Sequence, residues 1–388
     1  MKIGILIDRL NVGGVEKIAV QEVRALKEMN IDATLLVLSR KTIVKNALSD
    51  LLKNVPVEYL EDRLPRIFRF SFKIPFFSFF SFFHLTYPFL LPLVMKKKEY
   101  DFLVSHNSYT SFTAFSLSKI NLIPYLLYVH DPISYIIQKA YPCGPIKWMN
   151  NFFIGLASVL DNLLVKNADL VLVQGDLHFN YLKTIMGTSD KLIFAPAAHD
   201  YALQLPYRRG NDILTVTAWK EGKELEKLIQ IISEVKNTHL KIVGKWIHLE
   251  YRKKIDMLVN KLNLSNRVDI IGAVSEKKLN DFYKKARVVV IMNNERGLGL
   301  AALEAASNGC TFIIPSECGI SRYFKDQVDG FYFSYGDTDS VKQYLYRVVN
   351  NERLAFKMGK HAWQMVKEKY SWKKHVKVIL NCINKNEF

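Results

Sequence analysis

The sequence predicts an α/β protein with two parallel β-sheets, each covered by helices on both faces. Three observations predict it. Short, near-continuous apolar runs alternate with stretches whose apolar residues recur at helical spacing. This alternation runs twice, and a polar, Pro- and Gly-containing joint, "YALQLPYRRGN" (201–211), separates the two series. At 388 residues the chain also exceeds one ordinary domain.

The first series opens with the apolar run "KIGILI" (2–7), which ends at the turn "NVGG". Residues 16–29 follow with helical spacing, then the strand "DATLLVL" (32–38). Further strands are expected at 102–106, 124–130, 170–174 and 192–196. The second series starts with "DILTVTAW" (212–219) and continues with strands at 240–244, 268–272, 286–292 and 310–315. Helices are expected between them at 223–236, 249–262, 276–285 and around Glu304, and "YSWKKHVKVILNCI" (370–383) reads as a final amphipathic helix. The expected domains are therefore 1–200, 201–369 and a C-terminal helix, 370–388, returning to the first domain. Two Rossmann-like halves facing each other place a ligand in the cleft, at the C-terminal ends of the strands.

Bulk composition narrows the partners. Hydrophobic residues make up 49% and charged residues 23%, which excludes global disorder. A formal net charge of +17 favours an anionic partner: nucleic acid, a phosphorylated ligand or an acidic membrane face. No RNA- or DNA-binding motif supports nucleic acid. Four cysteines without a CxxC pair read as reduced thiols in a cytosolic protein. Met1 runs straight into the first strand, so no cleavable leader is expected.

Two glycine turns point to chemistry. In "NVGGVEK", Gly13 and Gly14 leave backbone amides bare at a helix start, where a phosphate can approach. The pattern is not GxGxxG, so a dinucleotide site is not indicated. In "NNERGLGLAALEAASNGCTFIIP" (293–315), Gly297 and Gly299 precede a helix with a single carboxylate, Glu304, among small residues. A carboxylate there accepts two hydrogen bonds, which suits a vicinal diol such as a ribose.

The chain resembles the retaining GT-B glycosyltransferases of family 4. "RGLGLAALEAASNG" (296–309) is similar to that family's E-G-F-G-L-x-x-x-E-A-x-A-x-G motif, matching at Gly297, Gly299, Leu300, Glu304, Ala305 and Gly309. The similarity continues through "ECGISRYFKDQVDGFYF" (317–333), "ADLVLVQGD" (168–176), 267–292 and the N-terminal "GGVEK". The resemblance implies two Rossmann-like domains facing across a cleft and transfer of a sugar from a nucleotide-sugar to a glycan or lipid-linked acceptor with retention. It implies donor binding by Gly13, Gly14, Lys220, Arg296, Gly297, Leu298, Gly299, Leu300 and Glu304, with His130 and Lys223 as catalytic residues. His106, which also ends an expected strand, ranks second to His130.

The match departs from the family at three places. Ala218 stands where the family has a phosphate-binding arginine, and Arg296 and Arg322 stand where it has glutamates. These departures motivate a second reading, a catalytically weak member that acts as a partner or scaffold subunit. No metal or other cofactor is expected: no His/Cys cluster has ligand spacing, and "DTD" (337–339) reads as a turn with a helix N-cap.

"RIFRFSFKIPFFSFFSFFHLTYPFLLPLVMKKK" (66–98) holds ten phenylalanines between Phe68 and Phe89, flanked by basic residues. Three prolines interrupt it, and a membrane span would split the first sheet across the bilayer. The expectation is a segment lying on an anionic membrane surface. That would make the protein cytoplasmic and peripheral on the inner membrane face.

Overall fold

The computed structural model describes residues 1–10, 14–41, 51–69, 73–74, 77–130, 132–140, 147–187, 190–195, 197–206, 209–293 and 299–385. They form two compact units, Met1–Pro196 with His375–Phe388, and Ala197–Lys374.

The first unit contains β1 (Lys2–Ile7), α1 (Gly14–Glu28), β2 (Asp32–Val37), β3 (Val57–Tyr59), β4 (Lys73–Ile74), β5 (Phe77–Ser81), α2 (Phe82–Val94) and β6 (Phe102–His106). It continues with α3 (Ser111–Asn121), β7 (Tyr125–Val129), α4 (Ile133–Ala140), α5 (Lys147–Asn167), β8 (Leu170–Val173), α6 (Asp176–Met186) and β9 (Leu192–Phe194). Seven strands pair in parallel in the order β3-β2-β1-β6-β7-β8-β9. The order reverses between β1 and β6, which pair from Ile3↔Phe102 to Leu6↔Ser105. Strands β6, β7 and β8 are buried along their whole length, as expected of a sheet covered on both faces.

The second unit contains β10 (Asp212–Val216), α7 (Leu225–Glu234), β11 (His239–Val243), α8 (Leu249–Lys261), β12 (Val268–Gly272), α9 (Glu276–Lys285) and β13 (Val288–Val290). After these come α10 (Leu300–Ser307), β14 (Thr311–Pro315), β15 (Phe331–Phe333), α11 (Thr338–Asn350), α12 (Glu352–Lys369) and α13 (Trp372–Lys385), whose residues from His375 belong to the first unit. The six parallel strands run β12-β11-β10-β13-β14-β15, and this order reverses between β10 and β13. The chain is thus an α/β protein with two parallel-sheet, Rossmann-like domains. Asp337 of "DTD" caps α11, its carboxylate accepting the Ser340 N–H at 3.0 Å.

Within the Phe-rich segment the chain forms a two-stranded sheet and a helix. β4 pairs antiparallel with β5, and 82–94 form α2 with Pro88 and Pro92 inside it. Each proline removes one amide donor and its ring crowds the carbonyl four residues back, so this helix depends on its packing rather than on an unbroken hydrogen-bond ladder. Its C-terminal end is tied by Asn121, whose Nδ2 donates to the carbonyls of Pro92 at 3.1 Å and Met95 at 2.8 Å. One face of α2, Phe83, Tyr87 and Leu91, is buried in the core with Leu36, Leu103, Leu127 and Val171. The opposite face leaves Leu85, Phe89 and Leu93 exposed. Of the flanking basic residues, Arg63 is held by Glu58 and Glu99, and Arg69 by Asp62. Among the described residues, no helix is long and apolar enough to cross a membrane.

One close approach in the second unit brings α12 against the connection between α10 and β14. A Cβ on Gly359 of α12 would lie 2.0 Å from the Gly309 carbonyl oxygen and 3.1 Å from the Thr311 nitrogen. Backbone atoms cannot swing aside as a side chain can, so α12 presses on this connection only because residue 359 is glycine. Gly359→Ala is expected to destabilise the second unit by at least about 1–3 kcal/mol, the usual cost of overpacking. An unchanged urea midpoint would show that the helix can be displaced cheaply.

Candidate functional site

In the second unit, the reversal between β10 and β13 brings two connections to the same edge of the sheet. After β10, the chain passes the exposed Ala218 and the buried Trp219, whose N–H donates to the Lys245 carbonyl at 2.8 Å. Trp219 Nε1 also donates to the Val243 carbonyl at 3.0 Å, so this turn is anchored to the neighbouring strand. Lys220 is exposed and Lys223 half-buried. Between them, Gly222 has a φ of +83°, and the Lys223 N–H returns to the Lys220 carbonyl at 3.3 Å. The resulting turn places both lysines at the C-terminal edge of β10.

After β13 the described chain resumes at Gly299, which precedes α10 with a φ of +77°. A Cβ there would lie 2.5 Å from Cys318 Sγ, so both conformation and space call for glycine. Leu300 opens the helix. Ala302, Leu303, Ala305 and Ala306 are fully buried, while Glu304 is half-buried. The small residues let α10 pack closely and leave Glu304 at a partly open position.

The Glu304 carboxylate is held in place. Tyr283 donates its hydroxyl to Oε2 at 2.6 Å, and His199 Nε2 lies 3.9 Å from Oε1. Burial, followed by the Glu304 charge and hydrogen bond, raises the Tyr283 pKa well above that of an ordinary tyrosine, so this hydroxyl stays a donor. Arg209 braces the same region from below. Its Nη1 donates to the Tyr283 and Lys284 carbonyls at 2.7 and 3.0 Å, and its Nη2 to the Asn308 carbonyl just beyond α10. A cation at a helix C-terminus also complements the helix dipole.

In the first unit, His130 follows β7 directly and is half-buried. Its ring stacks on Tyr128, 4.4 Å between centroids at 25°. Tyr128 in turn receives the Gln174 amide on its hydroxyl. The segment after His130 is pinned by the buried Asp161 of α5, which accepts from the Ile133 and Ser134 amides at 2.9 Å each and from Ser134 Oγ at 2.6 Å. His130 Nε2 lies 3.0 Å from His106 Nδ1. His106 Nε2 lies 2.9 Å from Oε2 of Glu22 on α1, and His375 Nε2 lies 2.9 Å from Oε1 of the same carboxylate. Glu22 and His106 are fully buried, and His375 nearly so. Burial pushes the Glu22 pKa up, but the charges and hydrogen bonds of His106 and His375 outweigh it and hold the group at about 2.

Gly14 is the first residue of α1. Gly13, Arg296, Gly297 and Leu298 lie outside the described residues. Sequence reasoning overlooked Glu22, Tyr283, His199, Asp161 and His375. For Glu22 a signal existed: a carboxylate in "IAVQEV", on the buried face of an amphipathic helix, needs buried partners. Among the described residues, no group of three or more His, Cys, Asp or Glu could hold a metal ion.

Residues 204–365 match the family model described as Glycosyl transferases group 1. The match lies within the second unit. The chain is therefore a glycosyltransferase. It is 28% identical over 172 residues to an uncharacterized glycosyltransferase of Methanocaldococcus jannaschii, a match that spans 44% of this chain and 43% of that protein. It is 24% identical over 277 residues to the UDP-Gal:alpha-D-GlcNAc-diphosphoundecaprenol alpha-1,3-galactosyltransferase of Escherichia coli, covering 67% of this chain and 69% of the relative. Among solved structures, Anabaena HepE in complex with UDP and glucose superposes with a TM-score of 0.76 at 15% identity, over 100% of both chains. That likeness places the two Rossmann-like units of this glycosyltransferase in the GT-B fold.

Proposed function

We propose that this glycosyltransferase moves a sugar from a nucleotide-sugar to a glycan or lipid-linked acceptor, with retention of configuration and without a metal ion. The observation that carries the donor reading is Glu304, a half-buried carboxylate that Tyr283 orients at 2.6 Å beside the Gly299 turn. It would accept the two hydroxyls of the nucleotide ribose. Lys223 and Lys220 stand on the connection that leaves the adjacent strand β10 at the same edge. With the amides opening α10, and with Gly13, Gly14, Arg296, Gly297 and Leu298 in the roles that the family resemblance implies, they would hold the diphosphate and stabilise it as it leaves. That electrostatic role removes the need for a cation. His130 would position the donor sugar. The retaining outcome rests on the family 4 resemblance, and the first unit would serve the acceptor side. The relative that acts on a diphosphoundecaprenol-linked sugar, and the neighbour that holds UDP, make a UDP-sugar and a lipid-linked acceptor the first pair to assay.

Glu304→Ala is expected to abolish most nucleotide binding while leaving the fold intact. The loss of a charged acceptor for two hydroxyls is on the order of 2–4 kcal/mol. Calorimetry showing unchanged nucleotide affinity would remove Glu304 from the donor site.

Turnover is expected to survive EDTA, since the lysines and helix amides take the place of a cation. Activity lost in EDTA and restored by manganese would refute the metal-free reading.

The first unit is expected to bind an anionic membrane surface peripherally, on the cytoplasmic face. Ile67, Leu85, Phe89 and Leu93 are exposed, and so are Arg66, Lys96, Lys97 and Lys98. Each basic residue near an anionic leaflet contributes up to about 1 kcal/mol. Flotation with phosphatidylglycerol vesicles should weaken in high salt, and Phe89→Ser with Leu93→Ser should abolish it without unfolding the domain. Wild-type protein that ignores such vesicles would mean a soluble acceptor is approached from solution.

A further inference from the structure

Exposed apolar residues continue beyond α2 on the same side of the first sheet. One face of that sheet carries a single core, in which Leu36, Leu103, Leu127 and Val171 meet Tyr87 of α2, Leu117 of α3 and Leu164 of α5. Helix α2 packs on α3 and α3 on α5, so the three form one outer layer. Each delivers the chain to the start of a parallel strand, β6, β7 or β8. Their last turns therefore line the N-terminal edge of the sheet.

Helix α5 divides its residues by face as α2 does. Ala157, Asp161, Leu164 and Val165 are buried, whereas Phe152, Leu156, Val159 and Leu163 are 63%, 49%, 65% and 46% exposed. At about 100° per residue these four fall in a stripe roughly 60° wide, and the usual helical rise makes it about 17 Å long. The water-facing side of such a helix is ordinarily polar. Single exposed apolar side chains need no explanation, but a second row on the layer that already exposes Leu85, Phe89 and Leu93 does. On the helix between the rows, Phe115 is half-buried and Ile120 exposed.

Charge decides what covers this layer. Helices α2, α3 and α5 contain one acid, Asp161, and it is buried against the Ile133 and Ser134 amides. Lys96, Lys97 and Lys98 follow α2, Lys119 lies in the last turn of α3 and Lys166 in that of α5, all exposed. A second copy bound through the same patch would offer those lysines no acid from the facing helices in any orientation. An anionic leaflet suits both features, taking the apolar rows into its interface and the lysines at its phosphates.

We propose that α5 is a second membrane-contacting helix, and that the first unit lies with its α2–α3–α5 layer flat on an anionic bilayer. The inference rests on the reading of α2 as a membrane contact and extends it to a helix outside the Phe-rich segment. It also sets an orientation. The strands of the first sheet run roughly parallel to the membrane plane, and their C-terminal edge opens along the surface rather than toward or away from it. A lipid-linked acceptor would reach that edge from the side, at the height of the lipid headgroups.

The test places a fluorophore at single positions of the full chain carrying Cys143→Ser and Cys382→Ser; Cys310 and Cys318 are buried. The label is attached at Phe89→Cys in α2, at Val159→Cys in α5 or, as a control, at Met257→Cys, an exposed position of the second unit. Phosphatidylglycerol vesicles with brominated acyl chains quench a label only at close range. Quenching is expected at 89 and 159 and not at 257. Quenching at 89 without 159 would overturn the role of α5 and leave the α2 contact standing. Quenching at 159 alone, or equally at all three positions, would overturn the flat orientation. Quenching at none would remove the membrane reading itself, and this inference with it. In flotation, Phe152→Ser with Val159→Ser should lower partition onto phosphatidylglycerol vesicles about tenfold or more, with an unchanged urea midpoint. Lys119→Glu with Lys166→Glu should also lower it. Should the serine pair unfold the domain, the labels decide. A wild type that is dimeric by light scattering, but monomeric with the serine pair, would assign the stripe to a second copy and overturn the proposal.

Discussion

Parallel strand pairing is the constraint on which the rest depends. Two parallel neighbours cannot be joined by a tight turn, so each strand must be followed by a crossover that returns to the opposite edge. Every strand in both sheets of this chain therefore delivers its connection to the same, C-terminal edge. Where the strand order reverses, two connections diverge and leave space for a ligand. The reversals fall between β1 and β6 in one unit and between β10 and β13 in the other. Glu22 follows β1 and His106 ends β6 in the first unit, where His130 follows the next strand, β7; Lys220 and Lys223 follow β10 and Glu304 follows β13 in the second.

Each edge carries a carboxylate that the fold does not leave to water. Glu304 is half-buried and oriented by Tyr283, whose own carbonyl is tied to Arg209. Its helix can sit so close to its neighbours because four of its other positions are alanine and because Gly299 and Gly359 lack side chains. Glu22 is the extreme case, without any exposure and satisfied by two histidines. In both, a charge that would be costly alone is made tolerable by specific donors, and its direction is thereby set. Such pre-ordering is what a site needs when it must bind one arrangement of hydroxyls rather than another.

The Phe-rich segment shows how one composition can hold two roles. Its aromatic run and basic flanks suggest a segment lying on a membrane surface, and α2 divides its side chains by face. Phe83, Tyr87 and Leu91 complete the core, while Phe89 and Leu93 stay outside. The division follows helical periodicity across Pro88 and Pro92, which sequence reading treats as interruptions. Charge behaves likewise: Arg63 and Arg69 are used up by Glu58, Glu99 and Asp62. Only spatial neighbours reveal that.

Much of the fold was legible because it is written in local patterns. Apolar runs such as "KIGILI" and "FLVSH" become β1 and β6 with the bounds their sequence suggests, since a strand buried on both faces has little freedom of composition. The Gly299 turn and the lone Glu304 were legible for the same reason, as a positive φ and a single carboxylate among alanines are visible in one dimension. The strand order was not legible, nor the two edges where it reverses. Neither was the line from His375 through Glu22 and His106 to His130, whose ends lie far apart in the chain. Tyr283 and Arg209 escaped equally. Local periodicity is set by each residue's immediate neighbours, and the sequence by itself determined that much. Which buried charge meets which donor depends on how whole elements pack, and only the tertiary structure decided it.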